Sequence, residues 1–424
     1  MSGLSERVSI GLSAVRQHLW RAATPLYFKA IGHVLPLLLA PSAQKQGAAD
    51  RTVRVVGLLS TATGIGQSAR LCAAAMQQAG HHGSTHDLSR LFGLDDGVRY
   101  AEGGAPPQAA DISIFHINPP MLLIGLLAAG RRQFRRNLNI AYCAWELPEI
   151  PPTWTASLAL VDAVFVPSAF CRDAVATRCN KPIFVVPHPV ADAQPRGDPE
   201  PDTGDPFRVL SVFNCGSSLY RKNPAALIAA FKQAFGSARD VELVLKIADG
   251  HAHRADVERL NRLIGGAPNI RLVDKLMDER ELDALIRSAD AYASLHRSEG
   301  FGLTVAEAIM RQVPVVVTDW SGTTDFCPPD MAYAVAYELT RIDDPHPVYS
   351  ELRHCRWAEP CVDSAAAHLR DIRANPSEAR RRARKLRDHL RQHLSAHSYE
   401  AAVGSLVAAP SPTTTAQDAA RSAR

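Results

Sequence analysis

Residues 291–318 read AYASLHRSEGFGLTVAEAIMRQVPVVVT. The apolar run Ala291–Leu295 predicts a buried strand, and Val313–Thr318 predicts another. Between them, Ser298-Glu299-Gly300-Phe301-Gly302-Leu303-Thr304-Val305-Ala306-Glu307-Ala308 turns from strand into helix. Strand, helix and strand in this order make a parallel βαβ unit. A helix start leaves backbone N–H groups unpaired and favours an anion there, such as a diphosphate. Gly300 and Gly302 remove side chains that would keep a ligand away from the backbone. Glu299 stands just before the helix and Glu307 about a turn and a half inside it. Two carboxylates so spaced can accept hydrogen bonds from the vicinal hydroxyls of a sugar or a ribose. Acids at a helix start also satisfy the helix dipole alone. The two glycines and the second acid together favour the ligand-binding reading.

The same alternation runs through the chain. Val53–Leu59, Asp111–Ile117, Asn139–Cys143, Ala163–Pro167 and Pro182–Val186 are near-continuous apolar runs. Helical segments such as Gln67–Ala79 and Pro119–Arg132 lie between them. After a proline- and acid-rich stretch at 191–206 the pattern restarts with Phe207–Phe213, Val241–Ile247, Ile270–Val273, Ala291–Leu295, Val313–Thr318 and Ala332–Ala336. Apolar strands alternating with helices imply parallel sheets buried on both faces. The expected architecture is α/β: two Rossmann-like, doubly wound domains, at 51–190 and 207–375, with 191–206 as linker. Residues 1–50 are expected to be an N-terminal extension, 376–403 a basic helix and 404–424 a disordered tail.

Composition narrows the function classes. The chain has 424 residues, 46% apolar and 21% charged, with a net charge of +4. That charge is too mild to indicate nucleic acid. Eight cysteines include no CxxC pair, which argues against zinc ribbons and redox motifs and for a reducing, cytoplasmic compartment. The apolar run Ile31–Ala40 holds His33 and Pro36 and is too short to span a bilayer. Arg380, Arg381, Arg382, Arg384, Lys385, Arg387 and Arg391 crowd one segment, and Arg131, Arg132, Arg135 and Arg136 another. These suit solvated helix faces, or peripheral contact with an anionic membrane.

The SEGFGLTVAEAI stretch, with Val313–Thr318 and Ser321-Gly322 behind it, resembles the donor-site signature of the family-four retaining glycosyltransferases. These enzymes have the GT-B fold, two Rossmann-like domains facing across a cleft. Val56-Gly57-Leu58 running into Gly64-Ile65-Gly66-Gln67-Ser68-Ala69 resembles the family's N-terminal glycine loop. Asn139–Pro148, Val164–Ser168 and Trp357–Pro360 resemble stretches of bacterial polysaccharide-assembly members. The resemblance implies that Glu307 binds the donor ribose and Glu299 the transferred sugar. Gly64, Gly66, Gly300, Phe301, Gly302 and Leu303 would line the donor site. His116, at a strand end, corresponds to the family's active-site histidine, facing the donor sugar. Lys222 stands where the family grips the diphosphate. The arginine that usually precedes it falls on Gly216, so adjacent Arg221 is the candidate substitute.

The implied activity is retaining transfer of a hexosyl unit from a nucleotide-diphosphate sugar to a glycan or lipid-linked acceptor, in polysaccharide or lipopolysaccharide assembly. The donor is a co-substrate; no cofactor and no metal are expected. Two other readings stay open. Gly64-x-Gly66-x-x-Ala69 with Asp87 also matches a dinucleotide site, as in an NAD(P)-dependent oxidoreductase. A GT-B scaffold that binds without catalysing is the third.

Overall fold

The apolar strands assemble into two parallel sheets in the computed structural model, which describes residues 52–81, 83–100, 111–119, 121–195, 205–275 and 277–408. The first contains β1 (Val53–Gly57), β2 (Gly83–Asp87), β3 (Ile112–His116), β4 (Leu138–Tyr142), β5 (Ala163–Val166) and β6 (Ile183–Val185), in the order β2-β1-β3-β4-β5-β6. The second contains β7 (Phe207–Asn214), β8 (Val241–Ala248), β9 (Ile270–Asp274), β10 (Ala291–Ser294), β11 (Val315–Thr318) and β12 (Tyr333–Val335), in the order β12-β11-β10-β7-β8-β9. β1, β3 and β4 are buried at nearly every position, which is why their sequences lack polar alternation. The α/β fold with two doubly wound domains is therefore present.

Local signals set the helix boundaries. The Gly64–Gln78 helix starts where the Thr63 hydroxyl accepts from the Gly66 amide. The Pro224–Phe235 helix starts at Asn223, in left-handed conformation with its side chain accepting from the Ala226 amide, followed by proline at the first position. The single helix expected over 119–132 is instead two, Leu122–Ala128 and Arg131–Arg136. Gly130, at φ +90°, breaks them.

In the second sheet β7 leads to β8 and β9 on one side, and β10 to β11 and β12 on the other. The chain reverses its order between β7 and β10. Ligands of open α/β sheets bind outside the carboxyl ends of strands at such a reversal. The β7 end carries Cys215–Lys222 and the β10 end carries His296–Gly302. Topology therefore brings together two segments far apart in sequence.

Two parts of the chain cross back to the first domain. A hairpin, β13 (Tyr337–Arg341) and β14 (Arg356–Pro360), carries an excursion in which Ile342, Tyr349, Leu352 and Cys355 join the first domain's core beside Trp145 and Trp154. A last helix, Tyr399–Ala408, lays Tyr399, Ala402 and Val403 against Val55, Met76 and Phe165. The tail expected from 404 is thus helical as far as 408. The rest of that tail, the 1–50 extension and most of the 191–206 linker lie outside the described residues.

The basic segment forms the helix Pro376–Ala396, which stops at His397 rather than running to 403, and much of its charge is used internally. Arg387 and Arg391 pair with Asp192, and Arg381 with Glu378. Arg382 donates to the Pro329, Met331 and Ala332 carbonyls and stacks over Tyr333.

Gly66 is fixed by packing. A Cβ there would lie 2.2 Å from Thr61 Oγ1 and 2.6 Å from the Leu58 carbonyl oxygen, whereas nothing lies within 4 Å of one at Gly64. Gly66→Ala is expected to destabilise the protein by about 1–3 kcal/mol, as overpacking against backbone does. Gly64→Ala should change stability by less than about 0.5 kcal/mol. Urea denaturation of both variants checks this; equal stability would show that the loop yields freely.

Candidate active site

At the β7/β10 reversal the Glu299 carboxylate lies between two cations. Lys222 Nζ donates to Glu299 Oε1, and Arg221 Nη1 stands 3.1 Å from Oε2. Arg221 also donates to the carbonyls of Ser298 (2.9 Å) and Ser217 (3.0 Å) and stands 3.5 Å from Glu146, which comes from the first domain. Arg221 is 3% exposed and Glu299 7%. Burial opposes the charge on Glu299, but Lys222 and then Arg221 outweigh it and hold its pKa down to about 2. Burial likewise opposes charge on Arg221, and Glu299 together with Tyr349 and Glu146 more than offsets it. Burial pushes the Lys222 ammonium below its ordinary value.

This cluster lies in a closed seam between the domains. Ser168 Oγ donates to the Gly300 carbonyl at 2.6 Å, Ser298 Oγ to the Glu146 carbonyl, and the Ala169 amide to Asp325 at 2.7 Å. A Cβ on Gly300 would lie 3.0 Å from the Trp145 carbonyl oxygen. Gly322 donates its amide to the Glu299 carbonyl, and a Cβ on it would lie 2.2 Å from the Gly300 oxygen. Gly302, at φ +94°, abuts Thr323. The glycines therefore let two chain segments and the opposite domain meet around Glu299. Gly302 also begins the Leu303–Met310 helix, whose start has no side-chain cap. That opening can receive an anion.

Glu307 shares no hydrogen bond or ion pair with this cluster among the described residues. It is half-buried, and no described residue donates a hydrogen bond to its carboxylate. Burial raises its pKa to about 7, against a smaller opposing effect of Arg311. Leu303 is half-buried, while Phe301 is buried against His188 and Phe326 and serves the core.

Two assignments by resemblance are placed differently. Arg221 turns inward, and its guanidinium is taken up by protein acceptors. His116 is 0% exposed, stacked on Tyr142 with its Nδ1 2.9 Å from Ser68 Oγ. Burial keeps it neutral, far below its ordinary pKa. A chain of rings, Tyr142 and then His188, links it to Phe301. Gly64 and Gly66 start a helix capped by Thr63.

Sequence reasoning gave no role to several residues that build the site. His296 is buried, its Nδ1 3.1 Å from Ser294 Oγ and Nε2 3.3 Å from the Trp320 carbonyl. Burial lowers its pKa to about 4, so it stays neutral. Ser321 Oγ accepts from the Glu299 amide at 2.8 Å. Glu146 lay in a quoted stretch without an assigned partner. A histidine closing a buried strand was the available signal for His296; nothing local marks Glu146. Asp87, which a dinucleotide site would offer to ribose, is consumed by the Leu59 amide (3.0 Å), Ser60 and Ser89.

Residues 169–406 match the sequence profile of a family described as "Family 4 Glycosyltransferase in conflict systems". No protein of curated function matches the chain in sequence. Among solved structures the fold is similar to Anabaena HepE in complex with UDP and glucose, at 13% identity and TM-score 0.58, covering 84% of this chain and 99% of that one. It is also similar to sucrose-phosphate synthase from Thermosynechococcus elongatus, at 15% identity and TM-score 0.58, covering 88% and 100%. TarM of S. aureus, solved with UDP, is similar at 13% identity and TM-score 0.50; the match covers 70% of this chain and 55% of TarM, so it spans about half of that protein's length. At such identities the likeness is one of fold.

The raised pKa of Glu307 has a consequence for stability. Its folded value, about 7, exceeds the ordinary 4.5, so the folded state keeps the proton while the unfolded state releases it. Stability is lost as pH rises through that window. Glu307→Gln is expected to be more stable than wild type at pH 8, by up to about 3 kcal/mol, with little difference near pH 4. Chemical denaturation at both pH values checks it; a variant equally stable at pH 8 would show that Glu307 ionises without cost.

Proposed function

The chain belongs to the family 4 glycosyltransferases of conflict systems, and from that premise we propose that it transfers a hexosyl unit, with retention, from a nucleotide-diphosphate sugar. The observation that supports this most is the ion cluster at the β7/β10 reversal, where Lys222 and an uncapped helix start face the place a diphosphate would take. On arrival the diphosphate replaces Glu299 as the anion beside Lys222. Glu299 is then free to accept hydrogen bonds from the sugar, still aimed by Arg221 and Ser321. Glu307 accepts from the ribose hydroxyls. As the glycosidic bond to the diphosphate breaks, negative charge grows on the leaving oxygens, and Lys222 with the Leu303–Met310 helix start neutralises it. No covalent enzyme intermediate is invoked. Arg221 is a positioning residue.

The acceptor in this proposal is a glycan or lipid-linked sugar, as in polysaccharide or lipopolysaccharide assembly, and the setting is cytoplasmic. No described helix is long and apolar enough to cross a membrane. Peripheral contact with an anionic membrane would fall to exposed residues such as Arg132, Arg135, Arg136, Arg384 and Lys385.

Fixed positive charge makes a divalent ion at the diphosphate unnecessary. Turnover of the best donor from a panel of nucleotide sugars is expected to be the same with and without EDTA, and Lys222→Ala should lower it on the order of 100-fold. Activity abolished by EDTA and rescued by Mg²⁺ or Mn²⁺ would overturn the mechanism. Glu307→Ala should weaken donor binding by about 1.5–3 kcal/mol in calorimetric titration. Unchanged affinity would remove Glu307 from the site, and tight donor binding by wild type without turnover would mark a scaffold.

A further inference from the structure

The excursion between β13 and β14 ends on a second cluster of reactive side chains, none of which touches Lys222, Glu299 or Glu307. His354 Nε2 lies 3.4 Å from Glu149 Oε1 and 3.8 Å from Cys355 Sγ. All three atoms lie within 4.8 Å of one another. A thiol, an imidazole and a carboxylate could form a nucleophile relay. That requires the histidine to face the thiol with one ring nitrogen and the carboxylate with the other. Here one nitrogen faces both, so the three groups converge on a common point instead.

We propose that Glu149, His354 and Cys355 bind a divalent transition-metal ion, Zn²⁺ by preference, and that the ion fastens the excursion to the first domain. A tetrahedral zinc with Zn–S of about 2.3 Å and Zn–N or Zn–O of about 2.0–2.2 Å sets its ligand atoms about 3.3–3.6 Å apart. The imidazole-to-carboxylate distance of 3.4 Å falls in this range, the imidazole-to-thiol distance of 3.8 Å is slightly longer, and the thiol and carboxylate lie within 4.8 Å, so small shifts would close the site on an ion. Thiolate and imidazole select zinc over magnesium or calcium, and three protein ligands leave the fourth position to water. Arg178 supplies the supporting contact: its Nη2 stands 3.4 Å from Glu149 Oε2 and its Nε donates to the Ile150 carbonyl at 3.0 Å, leaving Oε1 turned to His354. Cys355 is 6% exposed in the first domain's core, and His354 is on the surface with its side chain 59% exposed, which gives the ion a way in. Glu149 belongs to the loop whose Trp145 donates to the Glu149 carbonyl and whose Glu146 meets Arg221. The ion would therefore hold the excursion against the loop that closes the seam.

The experiment uses the full chain. Metal content is measured after purification, and the chelated protein is titrated with Zn²⁺ and with Co²⁺. One ion per chain, a thiolate-to-cobalt charge-transfer band and a higher melting temperature with metal are expected. Cys355→Ser and Glu149→Gln should each lose the band or weaken affinity at least about tenfold. His354→Ala, at an exposed position, gives the same test should Cys355→Ser fail to fold. Turnover of folded Cys355→Ser should stay within about twofold of wild type, as befits an ion outside the chemistry. Wild type that binds no Co²⁺, or a Cys355→Ser variant that keeps full affinity, would overturn the site. Turnover lost together with the ion in a folded variant would overturn its fastening role.

Discussion

Glu299 sits between Lys222 and Arg221 in the seam between the two domains, and Arg221 ties that buried cluster to Glu146 of the first domain. Breaking a buried ion pair by removing one partner typically costs about 3–5 kcal/mol, since the charge left behind has lost its water. Arg221 spreads this dependence widely. Its guanidinium meets Glu299, two carbonyls of the second domain and Glu146 of the first, so the geometry of the cluster and the closure of the seam are one constraint. Two cations facing two carboxylates make the resting cluster nearly neutral. A diphosphate must therefore compete with a carboxylate that the protein already holds there.

The backbone allows that cluster to form. Gly322 approaches Gly300 more closely than any side chain permits, Gly300 lies tight against the Trp145 backbone, and Gly302 turns through a left-handed conformation into the helix. These three glycines remove bulk where two domains and two loops converge, which leaves Arg221 and Glu299 largely buried. Exclusion of water strengthens each charge interaction inside the seam, which serves both the resting pairing and a departing diphosphate.

Much of this was legible in the sequence. Runs such as Ile112–His116 and Val315–Thr318 are mostly apolar and are buried at every position because both faces are covered, so the parallel sheets could be read directly. β2 was missed because GSTHD is a polar, half-exposed edge strand. The excursion at 342–357 was missed because its apolar residues serve the other domain's core. Lys222, Glu299 and Glu307 carried a signature, but its spacing is silent about direction: Arg221 turns inward, while His116 closes a strand whose end is roofed by the Gly64–Gln78 and Tyr399–Ala408 helices. Contacts between distant segments, such as Glu146 with Arg221, leave no local pattern at all.

The competition between Glu299 and an incoming diphosphate is the centre of this account, and calorimetric titration of a nucleoside diphosphate, UDP first, into Glu299→Gln tests it most directly. Glutamine keeps the shape and one hydrogen-bonding oxygen but leaves the charge of Lys222 and Arg221 uncompensated. The folded variant is expected to bind the diphosphate on the order of tenfold more tightly than wild type while turning over a sugar donor more slowly. Binding equal to or weaker than wild type in a folded variant would contradict it, because Glu299 would then not be the anion that the diphosphate displaces.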